Sequence, residues 1–127
     1  MLTLTKGEYM RNEPYEDCAR SQFPDVPLEE GVEWVKQMTM HSVVSFANKL
    51  TFPGYKYLPV SWLLCEDDLI LNTEFQQKTI AMIEKESGNK VSVYRLRAGH
   101  FPSVSIPEET ANAISEVIRT DLSGSQS

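Results

Sequence analysis

The stretch PVSWLLCEDDLILNTEFQQKTIAMIEKESGNKVSVYRL, residues 59–96, decides the fold, because its hydrophobic period changes twice. VSWLLC is a short continuous apolar run, the pattern of a strand covered on both faces. In the run from Thr73, Thr73 and Gln76 have capping-box spacing, and Gly88 with Asn89 forms a stop, so the spacing predicts a helix. Its inner face is expected at Phe75, Thr79, Met82 and Ile83. VSVYRL, rich in β-branched and aromatic residues, reads as a second strand. After RAGHFPSVSI, Pro107 opens a last helix with Glu108 and Glu109 in its first turn and an expected face of Thr110, Ile114, Val117 and Ile118. Residues 59–121 thus read strand, helix, strand, helix, a βαβα unit, and such units build parallel sheets with right-handed crossovers. The fold class is α/β.

Upstream the pattern is helical. Pro27 opens PLEEGVEWVKQMTMHS, with Leu28, Val32, Val35 and Met38 at helical spacing. VVSFANKL is a second apolar cluster that continues as a bent or second helix, and Pro53-Gly54 marks a connector. Residues 1–22 show weak periodicity and read as an irregular arm. Residues 122–127 read as a flexible polar tail.

The chain has 127 residues, enough for one domain with a core that needs no disulfide or metal. Its formal net charge of −6 argues against a nucleic-acid or anionic-membrane partner, both of which want a basic patch. No apolar run approaches the ~20 residues that cross a bilayer. Cys18 and Cys65 fit no CxxC pattern, and two reduced thiols in a cytoplasmic protein are the expectation.

In a parallel βαβ unit the C-terminal ends of both strands lie side by side, and ligands of open α/β sheets gather outside those ends. Asp68 follows the first strand and His100 the second, so a carboxylate and an imidazole arrive on neighbouring loops. An aspartate there accepts the Nδ1 proton, fixes the tautomer and makes the histidine a general base. Gly99 is read as a sharp turn before His100, and Pro102 as a stiffened exit. Taken singly, a Gly-His after a strand is usually an ordinary loop, and a run of three acids a solvated turn; their conjunction carries the reading. Glu66 and Asp67 are expected to be solvated. A divalent metal held by Glu66, Asp67, Asp68 and His100 ranks last, since no HxH, HxxxH or EF-loop spacing exists. His41 is expected on the first helical segment without a partner, and Trp34 and Trp62 in the core.

PVSWLLCEDDLILNTEFQQKTIAMIE followed by VYRLRAGHFPSVSIPEETANAI resembles the C-terminal end of an α/β-hydrolase. The likeness is to small-ester hydrolases related to plant methyl esterases and hydroxynitrile lyases, particularly their fungal relatives. In that family an apolar strand leads to Cys or Gly, two variable residues and the triad acid, matched by Cys65, Glu66, Asp67 and Asp68. A Gln-bearing helix follows, matched with Gln76. The triad base sits in a Gly-His-x-Pro context, matched by Gly99, His100, Phe101 and Pro102, and Pro107 with Glu108 matches the start of the last helix. Residues 23–58 resemble the helical cap, with FPDVPLEEGVEWV and HSVVSF carrying the likeness. Asn72 departs from the family's frequent proline.

The resemblance implies a partial α/β-hydrolase fold, a βαβα C-terminal unit preceded by helical cap segments. It implies catalytic Asp68 and His100, a small-molecule ester or acyl substrate, a fungal specialised-metabolite setting, and no cofactor or metal. The larger departure is that the chain holds no Gly-x-Ser-x-Gly nucleophile elbow and no oxyanion-hole loop; Ser42, Ser45 and Ser61 lack flanking glycines. The expectation is therefore a truncated copy or an enzyme completed by another chain, with a protein partner or self-association covering an exposed sheet edge. The alternative is a non-catalytic relative that binds a ligand or partner.

Overall fold

The computed structural model describes residues 2–4 and 9–124, with side chains over 9–120. Strand β1 (Leu2–Leu4) and β2 (Tyr9–Asn12) pair antiparallel, and β2 pairs in turn with the two-residue β3 (His41–Ser42). Helix α1 (Tyr15–Gln22) leads to α2 (Leu28–Gln37), and the short α3 (Val44–Ala47) follows β3. A 3-10 turn at Gly54–Lys56 precedes β4 (Ser61–Cys65), α4 (Thr73–Ser87), β5 (Ser92–Leu96), the short α5 (Pro102–Ser105) and α6 (Pro107–Gly124).

Strands β4 and β5 are direct parallel neighbours, in register from Ser61 opposite Ser92 to Cys65 opposite Leu96. The ladder extends past the strand ends, because the Glu66 N–H donates to the Leu96 carbonyl and the Asp67 N–H to the Ala98 carbonyl. Residues 66–68 and 97–100 therefore leave the sheet side by side.

Two apolar clusters hold these elements. Leu64, Ile80, Ile83 and Val91 join β4 to α4, with Tyr55, Val60 and Trp62 against them. Cys18, Ala19, Phe23 and Val35 fill the α1/α2 hairpin, and Phe101 and Val104 pack onto it from beyond β5.

Several local expectations are corrected. The N-terminal arm is not irregular: it forms β1, β2 and α1. Helix α1 buries only the small Cys18 and Ala19, so its apolar periodicity is faint. The N-cap of α4 is Asn72, whose side chain accepts from the Phe75 N–H at 2.9 Å; the capping box from Thr73 does not form, because Gln76 is buried beneath the acid loop. The buried face of α4 is Gln76, Ile80 and Ile83, and Phe75 and Met82 are exposed. On α6, Thr110 is buried while Ile114 and Ile118 are exposed. Gly88 stops α4 in the left-handed conformation at φ 74°, as its sequence position indicates. Trp34 is exposed, whereas Trp62 packs on the β4/α4 cluster. His41 lies in β3 and has a partner: its Nε2 is 2.7 Å from the Ser45 hydroxyl, which itself donates to the Ser42 carbonyl.

Among the described residues, each of β4 and β5 pairs on one side only. No helix among them is long and apolar enough to cross a membrane.

Candidate active site

Asp68 is buried at 7% exposure, three residues beyond the end of β4. A buried carboxylate needs its oxygens satisfied. Its Oδ1 accepts from the backbone N–H groups of Ile70 at 2.8 Å and Leu71 at 2.9 Å. Its Oδ2 lies 2.9 Å from His100 Nδ1. An ionised carboxylate only accepts, so against it Nδ1 is the donor of this contact. The sequence reading that Asp68 and His100 meet across the sheet end thus corresponds to a direct hydrogen bond. His100 is half-buried, and its ring meets the edge of Phe101 at 4.9 Å with planes 86° apart.

The three consecutive acids have separate surroundings. Glu66 is exposed and pairs with Arg95 at 2.7 Å. Asp67 is exposed and contributes its backbone to the ladder. Only Asp68 turns inward.

Gln76 organises the acid loop from below. Its Nε2 donates to the carbonyls of Cys65 at 2.8 Å and Leu71 at 2.7 Å. Its Oε1 accepts from the Cys65 N–H at 3.1 Å and the Trp62 indole at 3.2 Å. One buried amide therefore ties both ends of the 65–71 loop and uses its full hydrogen-bonding capacity. Cys65 sits beside this tether with its thiol pushed up by burial first, and then by the Asp68 and Asp25 carboxylates. It stays a neutral thiol near pH 7, not a nucleophile.

The histidine loop is shaped by close approach. A Cβ on Gly99 would lie 2.7 Å from Asp25 Oδ1 and from Pro24 Cδ, so glycine is required for contact, not for an unusual turn. Pro102 is the first residue of α5.

His100 opens onto a pocket of about 870 Å³, lined also by Met10, Met38, His41, Phe46 and Leu71 among others, with no Lys, Arg, Asp or Glu in its wall. A smaller pocket of about 190 Å³ beside Arg11 and Tyr15 includes neither Asp68 nor His100. Among the described residues no group of three His, Cys, Asp or Glu is placed to hold a metal ion.

Sequence reasoning missed the part played by Met10, Asp25, His41 and Phe46. Met10 lies in the segment expected to be irregular, and Asp25 meets Gly99 across 74 residues; no local pattern encodes either.

No protein-family model matches the chain. It is 33% identical over 93 residues to a protein named "Probable hydrolase R7" from a Phoma species, covering 73% of this chain and 38% of that protein. A crystal structure of the pyrethroid hydrolase PytH superposes with a TM-score of 0.63 at 23% identity, over 91% of this chain and 45% of that one. A second structure of PytH gives 0.66 at 21% identity, over 93% and 46%. The chain spans less than half the length of the relatives it matches. With its parallel β4/β5 unit and preceding helices, this chain is a portion of the α/β-hydrolase fold.

Proposed function

We propose that the chain supplies the acid and the base of an α/β-hydrolase, Asp68 and His100, together with part of the substrate pocket. In this reading the Asp68 carboxylate holds the Nδ1 proton, and Nε2 takes the proton of an attacking hydroxyl. The imidazolium then returns that proton to the leaving group as the acyl bond breaks, and a water repeats the cycle on the acyl-enzyme. The observation that carries the reading is the 2.9 Å contact from Oδ2 to Nδ1, made by a buried carboxylate at the end of a parallel sheet.

The 127 residues hold no Gly-x-Ser-x-Gly elbow, so this reading requires a nucleophile and oxyanion hole supplied from outside them. The pocket's apolar wall without Lys, Arg, Asp or Glu favours a small neutral ester or related acyl compound as substrate. The Phoma relative supports a fungal hydrolase setting, and two buried cysteines outside any disulfide fit the cytoplasm.

The second reading is a non-catalytic relative that binds a ligand, favoured by the pocket's presence in a chain without a nucleophile elbow. Hydrolysis of p-nitrophenyl acetate separates the two. The chain is assayed alone and mixed with a polypeptide bearing the nucleophile elbow of an α/β-hydrolase. Turnover that requires both components and is lost with His100→Ala supports the enzyme; turnover that never exceeds the buffer rate supports the binding protein.

A further inference from the structure

We propose that Asp25 is a positioning residue for His100, holding residues 99–101 from the turn between α1 and α2 so that the imidazole stays against Asp68; this rests on the reading of Asp68 and His100 as an acid and base. Gly99 is buried, and its N–H, one residue before His100, donates to Asp25 Oδ2 at 2.6 Å. A buried backbone N–H needs an acceptor, and none is supplied here by a strand or helix. The space beside Gly99 is filled by Asp25 Oδ1 at 2.7 Å and by the Pro24 ring, with Cγ at 2.8 Å from a would-be Cβ.

The same turn grips the other side of the histidine. Phe23, buried at 4% exposure, stacks on Phe101 with centroids 4.8 Å apart and planes inclined by 17°. Residues 23–25 thus fix the chain immediately before and after His100, while Asp68 fixes the ring itself. Asp68 alone would leave the ring tethered through one hydrogen bond on a connecting loop. A displacement of ~1 Å in a reacting group costs about 10²-fold in rate. The hairpin that carries Asp25 also gives Ser21 and Gln22 to the pocket wall, so the element that borders the ligand space also holds the base.

The test is NMR on the full, isotopically labelled chain, following the His100 Nδ1 proton and the Gly99 amide; His41→Gln separates the two histidines. Asp25→Ala is expected to speed exchange of both protons by at least about tenfold, given the charged acceptor that is lost. Asp25→Asn, which keeps an accepting oxygen, is expected to restore protection. Gly99→Ala, which forces the same turn away without touching Asp68, is expected to behave as Asp25→Ala does. Wild-type exchange at Nδ1 in both Asp25→Ala and Gly99→Ala, with loss of the signal in Asp68→Asn, overturns the positioning role and leaves the pair standing. Failure of Asp25→Asn to restore what Asp25→Ala loses overturns it too. An unchanged Nδ1 signal in Asp68→Asn brings down the reading of the pair itself, and this proposal with it.

Discussion

Replacing Gln76 by leucine keeps the side-chain volume and removes every polar contact below the acid loop. Four groups lose a partner: the N–H and carbonyl of Cys65, the carbonyl of Leu71 and the Trp62 indole. The two on Cys65 are buried, while the Leu71 and Trp62 groups are part-buried and can recruit water. An unsatisfied buried group costs ~1–3 kcal/mol, so the two Cys65 groups alone cost ~2–6 kcal/mol, of which about 1–4 kcal/mol remains after the gain from burying leucine. At ~2.1 cal/mol/K per residue, unfolding 127 residues carries an entropy of about 0.27 kcal/mol/K, which places the fall in Tm at about 4–15 °C. Circular dichroism melts of the chain and of Gln76→Leu read this directly, with the exposed neighbour Gln77→Leu as a control expected to move by less than about 2 °C. A Gln76→Leu melt within 2 °C of wild type (about 0.5 kcal/mol) would refute the tether, because the same amide could not then be satisfying Cys65 on both sides.

Two further outcomes follow from the titrating groups. The Glu84 carboxyl is held below the ordinary carboxylate range by the Val91 N–H first and by Lys90 next. A depressed folded value means its stabilisation is present at neutral pH and lost as pH falls through that value; denaturation midpoints of Glu84→Gln are expected to lie below wild type at pH 7 and to converge with it only once the pH has fallen below the ordinary carboxylate range. A constant gap between the two across that range would contradict the assignment. The Cys65 thiol, raised by burial and then by Asp68 and Asp25, is expected to alkylate with iodoacetamide at pH 7.5 far more slowly than free cysteine, and faster once Asp68→Asn removes a charge. Labelling at the free-thiol rate would show that the acid loop is open in solution.

The βαβα order and the meeting of Asp68 with His100 were legible because both depend on local signals plus topology. VSWLLC and VSVYRL announce strands, the helix between them forces parallel pairing, and register then carries the two loops to one sheet end. The inner face of α4 was read correctly at Ile83 and misread at Phe75 and Met82, because it was assigned to large residues, whereas the polar Gln76 is buried and Phe75 is exposed. Its burial is stabilised by four hydrogen bonds that exist only once β4 lies against α4. The arm over 1–22 was illegible for a related reason: β1 and β2 are defined by pairing, and α1 packs through Cys18 and Ala19, which carry little hydrophobic signal. Asp25 shows the limit most clearly. Nothing in its neighbourhood distinguishes it from any exposed acid in a Pro-Asp turn, and its partner lies 74 residues away. The three acids that open the loop after β4 are alike in type, but place after the strand singled out Asp68, and that is the one the fold turns inward.

The central claim is that Asp68 acts through His100 in acyl hydrolysis. It is tested most directly by the rate of p-nitrophenyl acetate hydrolysis in Asp68→Asn, measured on the chain complemented by an elbow-bearing segment. The account predicts a fall in kcat of about 10³–10⁴-fold with KM little changed, since the carboxamide favours the wrong tautomer without altering the pocket. A kcat within about threefold of wild type would contradict it, because a carboxylate that orients the base cannot be dispensable to the proton transfer.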